Sequence, residues 1–315
     1  MGMLAWLGRP RVVTTLRVVV SLVFIALVTV AALKTRGYWR VGWGGWPWLL
    51  LAILPVVLLL GFKALKWLLL LRRLAPEVSF LQALVSYLAG IPLSIMTPGR
   101  VGEVSRVMYL PGGGARGWSG VGAVLLDKLT DLVALIWWLA AGLYLAGLAW
   151  PALLLALLAL ALSPLWLWLE LAPRLLGALP LPAAWREKML AALPRSGVYP
   201  PGRLLGVIFL GVLCFGVEWV QYWALFNALA PEAGVGLGTT IAAMSLVTLA
   251  GVAQVSFAGI GVREGLTALL LWQSLPPGAA ALGAFGVFLV DVALPGAVGL
   301  FFRPAVELSP PVQRS

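Results

Sequence analysis

The chain has 315 residues, of which 62% are hydrophobic and 10% charged, with a formal net charge of +11. A soluble domain carries about 25% charged residues, so a soluble fold is excluded, and no stretch is polar and long enough for a soluble catalytic domain. The length suits about seven to nine membrane segments of about 20 residues each, and the positive charge reads as basic loops beside anionic lipid, not as a nucleic-acid surface.

Cys214 is the one cysteine, and there is no histidine. An intrachain disulfide and a thiolate cluster are therefore excluded. The commonest general base and the commonest transition-metal ligand are also missing. The expectation is a non-enzymatic membrane protein with no cofactor and no metal.

In chain order, arginines precede an apolar run at residues 12–33. It lacks a small-residue cleavage site and reads as a retained first span. Residues 46–71 form a second span, whose later part carries Lys63, Lys66, Arg72 and Arg73 and is expected to emerge amphipathically. The stretch 80–112 is broken at Thr97-Pro98-Gly99, where proline removes a helical donor and glycine permits a non-helical backbone. Spans follow at 118–150 and 151–169, then a polar connection over 170–203. Residues 204–229 span again, and 230–238 is a loop without a basic residue. The stretch 239–275 is apolar but broken at Ala258-Gly259, and 279–302 is the last span.

Orientation follows from the basic residues. With Arg9, Arg11 and Arg17 in the cytoplasm, Lys66, Arg72 and Arg73 return there two spans later. The segment 80–112 then reads as a re-entrant hairpin on that face, which keeps Arg116 and the loop 170–203 cytoplasmic. The second hairpin, 239–275, dips in from outside, and Arg303 and Arg314 end inside. Lys34, Arg36 and Arg40 depart from the rule. The spans between the two hairpins are odd in number and invert the topology. The expected fold is an all-α polytopic membrane protein, one integral membrane domain over residues 1–315. It has about six full spans, two re-entrant helical hairpins and an inverted repeat, with both termini cytoplasmic. Broken segments in corresponding halves point to a transporter's binding site.

If a helix resumes after Gly99, then Arg100, Glu103 and Arg106 recur every third residue along one stripe. Arginine's planar fork suits phosphate, and the free N–H groups of a half-helix favour an anion. The other reading is an ion-pair network that only pins the hairpin. Pro98, Gly99, Gly102, Gly259 and Gly261 supply the breaks. Arg263 and Glu264 are sequence neighbours, about 100° apart on a helix, and are expected to need different partners. Asp127 and Asp131 share a face at i, i+4. They read either as partners for Arg100 or Arg106 or a cation site, or as an interfacial charge cluster. Glu218 and Asp291 lie deep in apolar spans, where lining a cavity and joining helices are both open. Glu218, Gln221 and Tyr222 form a polar stripe. Most of the 16 tryptophans lie near segment ends, as interfacial belts predict, with Trp43, Trp46 and Trp48 fitting well.

Residues 98–106, Pro-Gly-Arg-Val-Gly-Glu-Val-Ser-Arg, resemble the first signature of the lysylphosphatidylglycerol synthase transmembrane region family. Residues 256–265, Ser-Phe-Ala-Gly-Ile-Gly-Val-Arg-Glu-Gly, resemble its second, often proline-rich where this chain has Phe257-Ala258. The Asp127–Asp131 pair fits as well, and the resemblance spans roughly residues 15–303. It implies the movement of aminoacylated phosphatidylglycerol across the bilayer. In two-domain relatives a separate soluble domain attaches the amino acid. This chain is expected to lack that domain, so synthase activity is not carried over. Other relatives are linked to polyprenyl-phosphate sugar pathways.

The expected function is a lipid flippase of the cytoplasmic (inner) membrane, moving an anionic or aminoacylated phospholipid. Arg100, Arg106 and Arg263 would bind the lipid phosphate, and Glu103, Glu264, Asp127 and Asp131 would order them or meet a cationic headgroup. Three alternatives stand beside it. One is a translocase of polyprenyl-phosphate-linked sugar lipid. Another is a lipid-modifying transferase holding magnesium on Asp127 and Asp131. The last is a membrane partner docking a separate synthase or glycosyltransferase.

Overall fold

The computed structural model describes residues 45–110, 118–178, 186–187, 190, 193, 198–252 and 262–302. The expected span 12–33, Lys34, Arg36, Arg40, Arg116, Gly259, Gly261, Arg303 and Arg314 lie outside the described residues. Of Pro98, Gly99 and Arg100 the backbone alone is described. Among the described residues every regular element is helical.

Helices α1 (Trp46–Ile53) and α2 (Val56–Leu71) join at Pro55 into one apolar rod of 26 residues. At 1.5 Å per residue it is about 39 Å long, enough for a hydrocarbon core of about 30 Å. Helix α3 (Phe80–Met96) starts at a capping box, where Ser79 accepts from Gln82 N–H and the Gln82 side chain accepts from Ser79 N–H. A 3₁₀ helix (Pro98–Tyr109) follows it. Helix α4 (Trp118–Leu145) is as long as a span but carries Asp127, Lys128 and Asp131 in its first half. It stops short of the expected residue 150 because Gly147, at φ 84°, turns the chain in the left-handed region.

Helices α5 (Ala149–Leu162) and α6 (Leu165–Ala178) replace the straight span expected at 151–169. They bend by 72° at Ser163-Pro164, since proline interrupts the helical ladder. The polar connection expected from 170 therefore begins helical. Tyr199 closes it by donating to Leu70 O at 3.0 Å, and burial pushes its hydroxyl up to about 12.

Helix α7 (Pro201–Leu229) is the central post, packed against α1, α2 and α4. Helices α8 (Leu237–Val252) and α9 (Val262–Leu270) flank the second break. The last span is α10 (Pro277–Phe288), a π turn (Leu289–Ala293) and α11 (Leu294–Gly299). The rods Trp46–Leu71, Pro201–Leu229 and Pro277–Gly299 are long and apolar enough to cross a bilayer, and the bent α5–α6 pair makes a fourth if it is one span.

One core gathers Trp67, Leu70, Val107, Leu126 and Leu204, joining α2, the 3₁₀ helix, α4 and α7. A second gathers Leu135, Trp219, Phe226, Met244 and Ala284. Outside them, Leu54, Val57, Trp150, Leu154 and Phe301 are exposed. Such apolar faces suit lipid tails, since helices already satisfy their own backbone groups.

Candidate functional site

The first break is built by a few local devices. Thr97 ends α3 in extended backbone; its hydroxyl donates to Leu93 O at 2.9 Å and accepts from Gly102 N–H at 2.6 Å. A Cβ at Gly102 would fall on the Leu93 carbonyl, and one at Gly90 would sit 2.7 Å from Arg106 Cβ. These two glycines let the 3₁₀ helix lie flush along α3. A 3₁₀ run of 12 residues is unusual, since such runs seldom exceed about four. With three residues per turn, positions 100, 103 and 106 stack on one stripe, a tighter stripe than the expected α-helix makes.

Arg106 sits at the bottom of that stripe, 2% exposed. Its Nη2 donates to Asp127 Oδ2 at 2.9 Å, and its guanidinium lies 3.8 Å from the centre of the Trp67 ring. The Trp67 indole donates to Ser86 Oγ, which donates to Arg106 O at 2.7 Å. Asp127 also faces Lys66 Nζ at 2.9 Å, and Lys66 donates to Asp131 as well. Lys128 reaches Glu103 Oε2 at 2.7 Å, while Ser94 Oγ donates to Glu103 Oε1 at 3.3 Å. Glu103, Arg106, Asp127 and Asp131 thus belong to one network.

One expectation is corrected in part here. The later part of the second span emerges only at Arg72 and Arg73, which are exposed, and not at its two lysines. Lys66 is 2% exposed, and it and Lys63 turn inward because carboxylates await them on α4 and α7. Trp67, among the tryptophans away from a segment end, is a buried plate under Arg106.

A second polar group lies beside this network. Lys63 Nζ meets Glu218 Oε1 at 2.6 Å. Gln221 donates to Ala52 O and to Asp291 Oδ1, both at 2.9 Å. Glu218 and Gln221, one turn apart on α7, therefore reach α2 and the π turn respectively. A cavity of about 60 Å³ opens between α2, α3, the 3₁₀ helix and the π turn, bordered by Lys63, Tyr87, Ser94, Glu103, Arg106 and Asp291. It has room for a few waters.

Arg263 and Glu264 correct another expectation. They pair with each other, Nη2 to Oε1 at 2.6 Å. The arginine is long enough to wrap back over the first turn of α9. Its guanidinium also stands 4.5 Å from the centre of the Phe288 ring, and Phe288 borders the same cavity. The structure does not join this pair to the Arg106 network by a direct bond among the described residues; Phe288 lies between.

Sequence reading passed over Lys63, Lys66, Tyr87 and Trp67 as members of this site. The signal was present in Lys63 and Lys66 themselves, two ammonium groups inside an otherwise apolar span, where a charge needs a partner.

Apolar rods of membrane length, wrapped around a buried network of arginine, lysine and carboxylate, define an integral membrane protein with a polar interior. The chain belongs to the family described as Lysylphosphatidylglycerol synthase TM region, which it matches over residues 14–299. No curated protein and no solved structure matches it.

Proposed function

We propose that the protein is a lipid translocase of the cytoplasmic membrane, carrying an anionic or aminoacylated phospholipid of the phosphatidylglycerol type. The observation that carries this reading is the arginine-bearing 3₁₀ hairpin beside a polar cavity, in a chain otherwise sheathed by lipid-facing helices. Membership in a family named for a lipid synthase's membrane region supports a lipid as the cargo.

In this reading the lipid phosphate meets Arg100 and Arg106 on the hairpin stripe and Arg263 across Phe288. Asp127 holds Arg106 and Glu264 holds Arg263, while Glu103 and Asp131 balance the neighbouring Lys128 and Lys66. Asp127 and Asp131 both face Lys66, which favours a positioning role over metal-assisted transfer. Acyl chains stay in the bilayer while the headgroup crosses. At about 60 Å³ the cavity is too small for a phosphoglycerol headgroup. Carriage therefore requires the hairpin and the last span to part, as in alternating access. Six full spans, two opposed hairpins in an inverted repeat and cytoplasmic termini complete the proposal. A separate synthase or glycosyltransferase would supply the lipid.

The test is lipid movement in vesicles holding purified protein, followed with labelled phosphatidylglycerol, aminoacyl-phosphatidylglycerol and a prenyl-phosphate lipid. Arg100→Ala and Glu103→Gln should abolish movement of the carried lipid while the melting temperature holds. Movement unchanged in both variants rejects this site. Movement of the prenyl-phosphate lipid alone transfers the reading to sugar-lipid transport.

A further inference from the structure

We propose that Asp291 is a proton-binding site, fed by the polar cavity, and that proton entry drives the lipid movement proposed above, on which the coupling half of this inference rests.

The placement of Asp291 is unusual in three independent ways. It lies in the π turn of the last span, and an inserted π turn shifts side chains out of α register, often at functional positions. It is 6% exposed, and while Oδ1 accepts from Gln221, Oδ2 has no hydrogen-bond partner among the described residues. It borders the cavity together with Arg106, whose Nε is equally buried and equally without a partner among the described residues. An unsatisfied donor and an unsatisfied acceptor on one cavity with room for a few waters are what a short water chain satisfies. A water accepts from Arg106 Nε–H, and the next donates to Asp291 Oδ2.

The charges facing Asp291 make proton exchange chemically meaningful. From α2 comes Lys63, already held by Glu218 of α7 at 2.6 Å. From α7 comes the neutral amide of Gln221. From α3 come Tyr87 and Ser94, and from the 3₁₀ helix Glu103 and Arg106, the latter bound to Asp127. Arg263 of α9, paired with Glu264, lies across Phe288. Among the described residues around the cavity, Lys63 is the one ammonium to balance Glu218 and Asp291, leaving one negative charge over. A hydronium ion in the cavity gives its proton to Oδ2. An O–H bond forms, a neutral water is left, and the Lys63–Glu218–Asp291 group becomes neutral. Release to water on the other face reverses the step.

The mechanical link is short. Ionised Asp291 only accepts hydrogen bonds, and the acid form also donates. Five residues on, α11 presses the hairpin, where a Cβ at Gly296 would stand 3.0 Å from Ile91 Cγ2. The bonding of the π turn to α7 is thereby connected to the contact that must part for the headgroup to pass.

The test uses the full chain and two readouts. The first is infrared difference spectroscopy of purified protein on acidification, with and without deuterium exchange. The wild type should show the carbonyl band of a protonated carboxyl, lost in Asp291→Asn and kept in Asp291→Glu. The second is labelled phosphatidylglycerol in phosphatidylcholine vesicles under an imposed pH gradient. One pH unit should shift its distribution about tenfold for one proton per lipid. That ratio should fall to one in Asp291→Asn and persist in Asp291→Glu. A band or a gradient response unchanged in Asp291→Asn overturns the proposal, as does a response to sodium and not to pH. If lipid never moves but the band vanishes in Asp291→Asn, the proton site stands and the translocase reading fails. If lipid moves without regard to the gradient and no band appears, the translocase reading stands and the proton site fails.

Discussion

Asp127 holds two cations at once, Lys66 and Arg106, each at 2.9 Å. Removing its charge with Asp127→Asn strands the buried Arg106 and leaves Lys66 with Asp131 alone. Breaking a buried ion pair from one side costs about 3–5 kcal/mol, and thermal unfolding in detergent should register a loss of that order. The Lys63–Glu218 pair allows a sharper comparison. Lys63→Met and Glu218→Leu should each lower the melting temperature, since each strands the other's charge. The double variant should recover most of the loss, because two apolar side chains of similar volume need no partner. A double variant no better than the worse single would mean the pair is held for more than charge balance. Arg106 gains from Trp67 as well as from Asp127, and that stack is invisible in sequence, where residues 67 and 106 are separated by the whole of α3.

At the scale of elements, the hairpin shows what the chain discloses and what it hides. Thr97-Pro98-Gly99 marks the break openly, since few residues end a helix so plainly. The two opposed glycines, Gly90 and Gly102, and the 3₁₀ winding after the break are settled by how closely α3 and its return segment pack. No local propensity encodes that. The i, i+3 spacing of Arg100, Glu103 and Arg106 was legible, but its partners Lys66 and Asp127 lie on other elements and declare themselves only in three dimensions. The bend at Ser163-Pro164 was equally legible as a proline and was passed over because the apolar run continues through it. Gly102→Ala should force its new methyl against the Leu93 carbonyl, costing about 1–3 kcal/mol or more. Amide exchange across 98–109 should rise with it. Gly61→Ala is the control: nothing lies within 4 Å of the new carbon. In mid-helix that change should be neutral or stabilise by about 0.5–1 kcal/mol.

At the scale of the molecule, the reading depends on the hairpin and the last span moving apart. Gly296 and Ile91 face each other there, and a Cβ at Gly296 would lie 3.8 Å from Ile91 Cβ. That separation suits a disulfide. Ile91→Cys with Gly296→Cys, in a Cys214→Ser background, should form one on oxidation. Lipid movement should then stop, and return when reductant is added. Movement that continues in the cross-linked protein would show that the headgroup takes another route. The long 3₁₀ helix bears on the same question through its dimensions. Its 12 residues extend about 24 Å at about 2.0 Å per residue, against about 18 Å were they wound as an α-helix. The hairpin's return strand thus stores about 6 Å of retractable length. Rewinding would draw Glu103 and Arg106 along the helix's own axis without lengthening any loop, a piston built from backbone alone.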